Sequence, residues 1–420
     1  MAKKKAEKPH REVNKHQLSR WEKQKKRQRI IFGVGLAIIV VVLATVGVGW
    51  YLSQYKPMHQ TVFRVNNTEF DMGYYIKTLK LIYSQSQYSS TIEYLADEVA
   101  TAIQRNELMR QEAAELSISI SDDEVDKELK ERDPPVSKDY RDIIRAGMLS
   151  DKLVEEYFDA KVPVSAEQRH IMAMFLESES QVAEVRARAE NGEDFGELAA
   201  ELSLDSFTKS ENGDMGWKPE GIIGDMWGGE ILEEHAFSIE KGILSQPIYE
   251  ANRAKEIGYW LVKVLERGED VEEAHVQVIL LGSAEEAQSV RDRLEAGENF
   301  GVLAKEMSQH EASKESEGDL GWLTPNELNY LDDFIFDLSI EEGTISEPIR
   351  DDVVITAGGY WLLKVVDIDN NRDIEEEDRD LLKTKALDDW SASLWDDPQN
   401  EIESFLDEEK RSWAILQALK

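Results

Sequence analysis

The 420-residue sequence predicts an α+β protein with four kinds of part: a single transmembrane helix, a helical module, two tandem copies of one small domain (a small antiparallel sheet with surrounding helices), and a C-terminal helix. Three observations carry that expectation. Ile30 to Leu52 is almost wholly apolar, and no charged residue stands between Arg29 and Lys56. A stretch of about one hundred residues occurs twice, a period that means tandem domains because solenoid repeats recur at roughly 20 to 50 residues. Within each copy, short strand-like runs mix with helical segments without strict β-α-β alternation, which favours an antiparallel sheet.

Residues 1–29 form a basic segment with 12 Lys/Arg against 3 Asp/Glu, while the whole chain carries a net charge of -36, so everything after the leader is strongly acidic. Residues 30–52 are long enough for a helix to cross a bilayer. Trp50 and Tyr51 stand at the far edge, where aromatic rings prefer the interface. The cationic flank then sets the amino terminus in the cytoplasm and the bulk of the chain outside, in a single pass. A long basic leader, and no small-residue cleavage site after the apolar run, argue for an uncleaved anchor over a removed signal peptide. Beside a membrane span, the basic leader sets topology and meets anionic lipid; it gives no reason to expect nucleic acid. With no cysteine, the chain has no disulfide, thiolate metal site or cysteine nucleophile.

Residues 53–165 read as a mostly helical module. Val62-Phe63-Arg64-Val65 followed by Asn66-Asn67-Thr68 predicts a short strand and a turn, since Asn tolerates positive φ. Ile92, Leu95, Val99, Ile103 and Leu116 fall on one helical face. Ser121-Asp122-Asp123-Glu124 is a capping box, and Asp133-Pro134-Pro135 ends the helix it starts. Asn66-Asn67-Thr68 also matches a glycosylation acceptor, a pattern common by chance.

The two copies are assigned to 166–267 and 271–367. His170/His275, Gly192/Gly297, Phe195/Phe300, Ser203/Ser308, Asp214/Asp319 and Trp217/Trp322 all differ by 105; Gly242/Gly343, Ser245/Ser346, Pro247/Pro348 and Tyr259/Tyr360 differ by 101. Each copy opens with a strand carrying the His, continues through a helix ended by Gly192 or Gly297, a second helix and a Gly-Asp-x-Gly-Trp turn, and closes with a β-rich Gly-Tyr-Trp strand. Residues 373–420 return to helical spacing, with Trp390, Leu394, Ile402, Phe405, Trp413, Ile415 and Leu416 apolar. The run Glu375-Glu376-Glu377-Asp378 lacks the spaced Asp/Asn and Gly of a calcium loop and reads as a solvated face, so no metal is expected.

The first-strand His, the Gly-x-x-Phe-x-x-Leu segment, Gly-Asp-Met-Gly-Trp or Gly-Asp-Leu-Gly-Trp, Gly-x-x-Ser-x-Pro-Ile and the closing Gly-Tyr strand together resemble parvulin-type peptidylprolyl isomerase domains, twice over. The preceding helices, with Val65-Asn66-Asn67 and Ser-Asp-Asp-Glu-Val, resemble the chaperone module of the PrsA and SurA class of foldases. The resemblance implies a peptidylprolyl cis-trans isomerase and chaperone outside the cytoplasm. It would act on unfolded or extended proline-containing polypeptides of secreted or envelope proteins, need no cofactor, and have its tail 373–420 packed on the chaperone module.

Rotation about an X-Pro bond faces a barrier of about 18–20 kcal/mol from resonance. A pocket that grips the proline ring and excludes water lowers it, because the twisted amide has lost resonance. The resemblance places Met215, Leu232 and Phe237 in the first proline pocket and Leu320, Leu331 and Phe336 in the second. It assigns catalytic positions to His170, Asp205 and Trp260 in the first copy and to His275, His310 and Trp361 in the second. The chain departs from the family twice. Trp260 and Trp361 stand where the family closes with a histidine, and His310 replaces the acid or cysteine that Asp205 supplies. A basic cluster for phosphoserine is missing, Glu177, Glu179 and Gln181 standing there instead. Two readings therefore remain open: an active isomerase, and a holding chaperone whose degenerate parvulin domains only bind extended peptides.

Overall fold

A computed structural model describes residues 15–85, 92–133, 135–227, 229–268, 273–328 and 330–420. The start of the basic segment and Pro134 of the expected helix stop lie outside them. The chain divides into two compact units, residues 1–157 with 387–420, and residues 158–386.

In the first unit a helix runs from Lys15 to Trp50 and continues through Tyr51–Tyr55 and Lys56–Met58. The stretch Ile38–Met58 is long and apolar enough to cross a membrane, and none of it is buried. Helical backbone continues past the aromatic edge at Trp50 and Tyr51, so the apolar stretch ends later than the expected Leu52.

Strands β1 (Thr61–Val65) and β2 (Thr68–Asp71) form a hairpin whose turn holds Asn66 at φ 52°, as its sequence predicts. Helices Met72–Gln85 and Ile92–Glu115 pack Tyr75, Leu79, Ala96 and Val99 against Val62 and Phe63. The Ser121 box caps Asp122–Glu131 reciprocally, with Ser121 Oγ accepting from the Glu124 amide and Glu124 Oε2 from the Ser121 amide.

The tail is not wholly helical. Helices Glu376–Asp396 and Glu408–Ala418 flank a short strand, Ile402–Ser404, here β9, which pairs antiparallel with β1. Ala414 and Ala418 join the same core as Phe63 and Tyr75.

The second unit holds both repeats on one six-stranded antiparallel sheet. Its strands are β3 (Ser165–Leu176), β4 (Asp214–Pro219), β5 (Ile248–Arg267), β6 (Ala274–Leu281), β7 (Asp319–Leu323) and β8 (Ile349–Asp373), in the order β4-β3-β8-β5-β6-β7. The antiparallel sheets are as expected, but they are not separate, and the closing strands are exchanged. The opening strand β3 of the first repeat pairs with the end of β8 from the second, Phe175 opposite Trp361. The opening strand β6 of the second pairs with the end of β5 from the first, Leu280 opposite Trp260. At the centre β5 and β8 cross antiparallel, Lys255 opposite Thr356.

Local chain geometry explains the exchange. Only residues 268–273 join β5 to β6, a link short enough for antiparallel neighbours to pair directly, as consecutive strands usually do. The exchange of equivalent elements is a domain swap made within one chain. The crossing is tight. A Cβ on Gly359 would sit 2.6 Å from Phe175 Cζ and 2.7 Å from the Leu176 carbonyl oxygen, and one on Gly258 would sit 2.6 Å from Val354 Cγ1. The helices ended by Gly192 and Gly297 do have left-handed cap residues, at φ 100° and 98°.

Candidate functional site

Each repeat gathers a packed apolar cluster, at the place where the resemblance puts a proline pocket, on the face of the sheet carrying Ile171 or Val276, and centres it on a tryptophan from the other repeat. In the first pocket Met215 from β4 and Leu232 from helix Glu230–Ser238 pack with Ile223, Trp227 and Ile248 around Trp361, all buried, while Phe237 is half-buried at the edge. In the second, Leu331 and Ile335 pack with Val276 and Val278 around Trp260, and Leu320, Phe336 and Val354 are half-buried against them. Trp260, expected in the first site, therefore belongs to the second, and Trp361 to the first. The strand exchange is the physical reason.

The closing strands are held by the serines of the Gly-x-x-Ser-x-Pro-Ile motif. Ser245 Oγ accepts the Leu363 amide and Ser346 Oγ the Val262 amide, each at 2.9 Å. Each serine thus binds the strand of the opposite repeat.

His170 and His275 bind equivalently. His170 Nε2 lies 2.8 Å from Asp214 Oδ1 and its ring stacks on Trp217; His275 Nε2 lies 2.7 Å from Asp319 Oδ1 and stacks on Trp322. The same carboxylate oxygens accept the Gly216 and Gly321 amides. Burial works against ionising Asp319, but the Gly321 amide and His275 outweigh it and hold its carboxyl below the usual range. These contacts tie the opening strand to the Gly-Asp-x-Gly-Trp turn. The strand residues that enter the first cluster are Ile171, next to His170, and then Ala173 and Phe175.

Asp205 and His310 are helix caps. Asp205 Oδ1 accepts the Thr208 amide at 2.8 Å, and His310 Nδ1 accepts the Ser313 amide at 3.3 Å. The rest of their surroundings differs. The buried Asp205 carboxylate pairs with the Arg253 guanidinium, which also donates to the Trp227 carbonyl at 2.5 Å and lies 5.3 Å from the centre of the Trp361 ring. Among the described residues the Trp361 indole N–H has no hydrogen-bond partner, although its ring is fully buried against Phe175. His310 instead meets Trp260 edge-on with ring centres 5.3 Å apart, and burial pushes its imidazole pKa below the ordinary 6.5. Trp260 Nε1 donates to Asp351 Oδ2 at 3.0 Å. The position equivalent to Arg253 is Val354.

Sequence reasoning paired the catalytic candidates within each repeat and missed Arg253, Val354, Asp351 and Trp227. Arg253 and Val354 are invisible to a repeat comparison because they differ. Asp214 and Asp319 do recur, but nothing in the pattern says that they face the histidines.

An antiparallel α+β repeat of this order, with a first-strand histidine tied to a Gly-Asp-x-Gly-Trp turn and an apolar pocket under the closing strand, defines a tandem parvulin-type protein. The comparisons give the particular family. Residues 170–266 and 282–367 match the Rotamase family, PPIC-type PPIASE domain, and residues 22–158 match the SurA-like N-terminal domain. The chain thus carries segments matching both domains, and its homologues include proteins named PrsA and SurA.

It is 29% identical over 185 residues to foldase protein PrsA of Caldanaerobacter subterraneus, covering 41% of this chain and 57% of that one. It is 26% identical over 247 residues to chaperone SurA of Hahella chejuensis, covering 55% and 52%. The chain thus spans about half the length of these curated relatives. A crystal structure of peptidylprolyl isomerase PrsA from Bacillus anthracis aligns at 12% identity over 76% of this chain and 94% of that one, with a TM-score of 0.30.

Proposed function

We propose that the protein is a membrane-anchored peptidylprolyl cis-trans isomerase and chaperone acting outside the cytoplasm on extended, proline-containing chains of secreted or envelope proteins. The observation that carries this reading is the apolar cluster repeated in both copies, with Phe237 or Leu320 and Phe336 half-buried at its edge, within segments matching the PPIC-type PPIASE domain. Such a pocket needs no nucleophile, metal or cofactor. It binds the proline ring, removes water from the amide, and so favours the twisted state over the planar one. In this proposal Met215, Leu232 and Phe237, and Leu320, Leu331 and Phe336, contact the ring. His170 and His275 act as positioning residues that fix the opening strand through Asp214 and Asp319. Asp205, Trp361, His310 and Trp260 shape the pocket floors.

A second reading has its own support, since Trp361 and Trp260 occupy the pockets, as expected of domains that hold peptide at their rims without turning it over. The two are separated by the isomerisation rate of a short X-Pro peptide with full-length protein in lipid nanodiscs. Acceleration that Phe237→Ala or Phe336→Ala removes supports the enzyme. No acceleration, with aggregation of an unfolded protein still suppressed, leaves the holding chaperone. The proposed topology predicts that protease added to intact spheroplasts digests the chain beyond residue 58 and spares the leader.

A further inference from the structure

The two pockets are closed by equivalent tryptophans but are not equally fastened. Three interactions meet at Arg253: the ion pair to Asp205, the hydrogen bond to the Trp227 carbonyl, and the guanidinium face over Trp361. Asp205 is itself fixed as the cap of Ser206–Ser210, and Trp227 lines the same pocket. The Trp361 indole N–H makes no hydrogen bond, so this side chain is retained by packing and by the cation above it. At the equivalent position in the second repeat stands Val354, with no charge to lay over a ring, and the cap equivalent to Asp205 is His310. Trp260 is held by its hydrogen bond to Asp351 and the edge-on ring of His310, with no cation over it. The edge differs too: Leu320 is half-buried and Trp322 exposed, whereas the equivalent Met215 is buried and Trp217 half-buried.

We propose that Arg253 is a positioning residue that clamps Trp361 in the first pocket, so that the proline ring of a client enters the second pocket in preference to the first. Acting through Trp361, Arg253 sets which repeat can be emptied, and Val354 leaves the second one free. This rests on the isomerase reading for its consequence, but the clamp itself has a readout independent of turnover.

The experiment uses full-length protein in nanodiscs with 15N-labelled tryptophan, the Trp361 indole signal being assigned through Trp361→Phe. Hydrogen exchange at that fully buried indole is expected to be slow in the unaltered protein. Arg253→Val is expected to speed it about tenfold or more, as losing a desolvated cation–π contact and an ion pair shifts a local opening equilibrium. Arg253→Lys, which keeps the charge but not the fork, falls between. In a Phe336→Ala background, Arg253→Val is expected to raise the residual rate on a chromogenic X-Pro tetrapeptide, with the change in KM rather than kcat. The reciprocal His310→Asp/Val354→Arg pair raises KM in the otherwise unaltered chain.

Unchanged Trp361 exchange in a folded Arg253→Val protein overturns the clamp. If that variant does not fold, Arg253→Lys and the reciprocal pair decide, and no change in either overturns it. Faster indole exchange with no isomerisation by any form keeps the clamp and sinks the isomerase reading instead.

Discussion

Asp205 and His310 stand at equivalent positions of the two repeats, and so do Arg253 and Val354; both pairs differ, and they differ together. Where the cap is a carboxylate it pairs with the guanidinium of Arg253, and where the cap is an imidazole, whose pKa burial lowers, the position equivalent to Arg253 carries the isopropyl group of Val354. A buried charge needs its partner, whereas a neutral cap does not. The difference teaches that the two pockets, built from one ancestral pattern of positions, have settled on two self-consistent solutions, one charged and fastened, the other neutral and looser.

The sharpest test of that comparison is the exchange itself. Trp361→Ala and Trp260→Ala are each expected to cost about 3–5 kcal/mol of stability. The damage should appear in the other repeat: hydrogen exchange should rise across residues 171–248 for Trp361→Ala and across 276–335 for Trp260→Ala. If each substitution loosened its own repeat instead, the pairing of β3 with β8 would be wrong and the comparison would have to be redrawn.

Next in size, Asp205→Ala leaves the Arg253 guanidinium unpaired and removes a cap, for a loss of about 3 kcal/mol in urea denaturation. His310→Ala removes a neutral-side-chain cap and the edge contact with Trp260 but unpairs no charge, for about 1 kcal/mol. Equal losses would show that the ion pair gives the first pocket no special hold.

A smaller contrast separates the two indoles. Trp361→Phe removes an N–H that has no partner, whereas Trp260→Phe gives up the bond to Asp351, so the second should be the more costly of the two by about 1 kcal/mol in denaturation midpoints.

The smallest effect is a pH dependence confined to the second pocket. Burial lowers the folded-state pKa of His310 below 6.5, so the unfolded chain binds the proton more readily. Its contribution to stability is complete above pH 6.5 and is lost as pH falls from there towards the folded-state pKa. His310→Asn, which keeps a capping side chain, should flatten that part of the profile of urea midpoint against pH.

Much of this fold was legible in local signals: the apolar run, the Asn66 turn, the Ser121 box, the glycine-ended helices and the two-fold recurrence of the Gly-Asp-x-Gly-Trp turn. Those features depend on residues close in sequence or on a pattern written twice. The tail was half legible. Its apolar spacing pointed to helix, yet Ile402–Ser404 is extended because the exposed edge of β1 offers it a partner.

The membership of each pocket was not legible. Phe175 opposite Trp361 and Phe175 opposite Trp260 are equally good pairings by composition, and what selects between them is the short link 268–273, a matter of chain length and not of side-chain type. Arg253 was missed for a related reason, since its partners Asp205, Trp227 and Trp361 come from three separate segments.

The exchanged strand has a consequence for how the chain is made. The last strand of the first pocket, around Trp361, follows its neighbour Phe175 by 186 residues. At roughly 5–20 residues per second of synthesis, the first repeat waits on the order of 10–40 s for the piece that completes its sheet. Until then it offers an unpaired β3 edge and an empty apolar pocket. Contacts of such long separation also slow folding after release, because loop closure must precede the pairing that rewards it. A protein proposed to shelter unfinished chains is thus, during its own birth, one of the chains that most needs shelter.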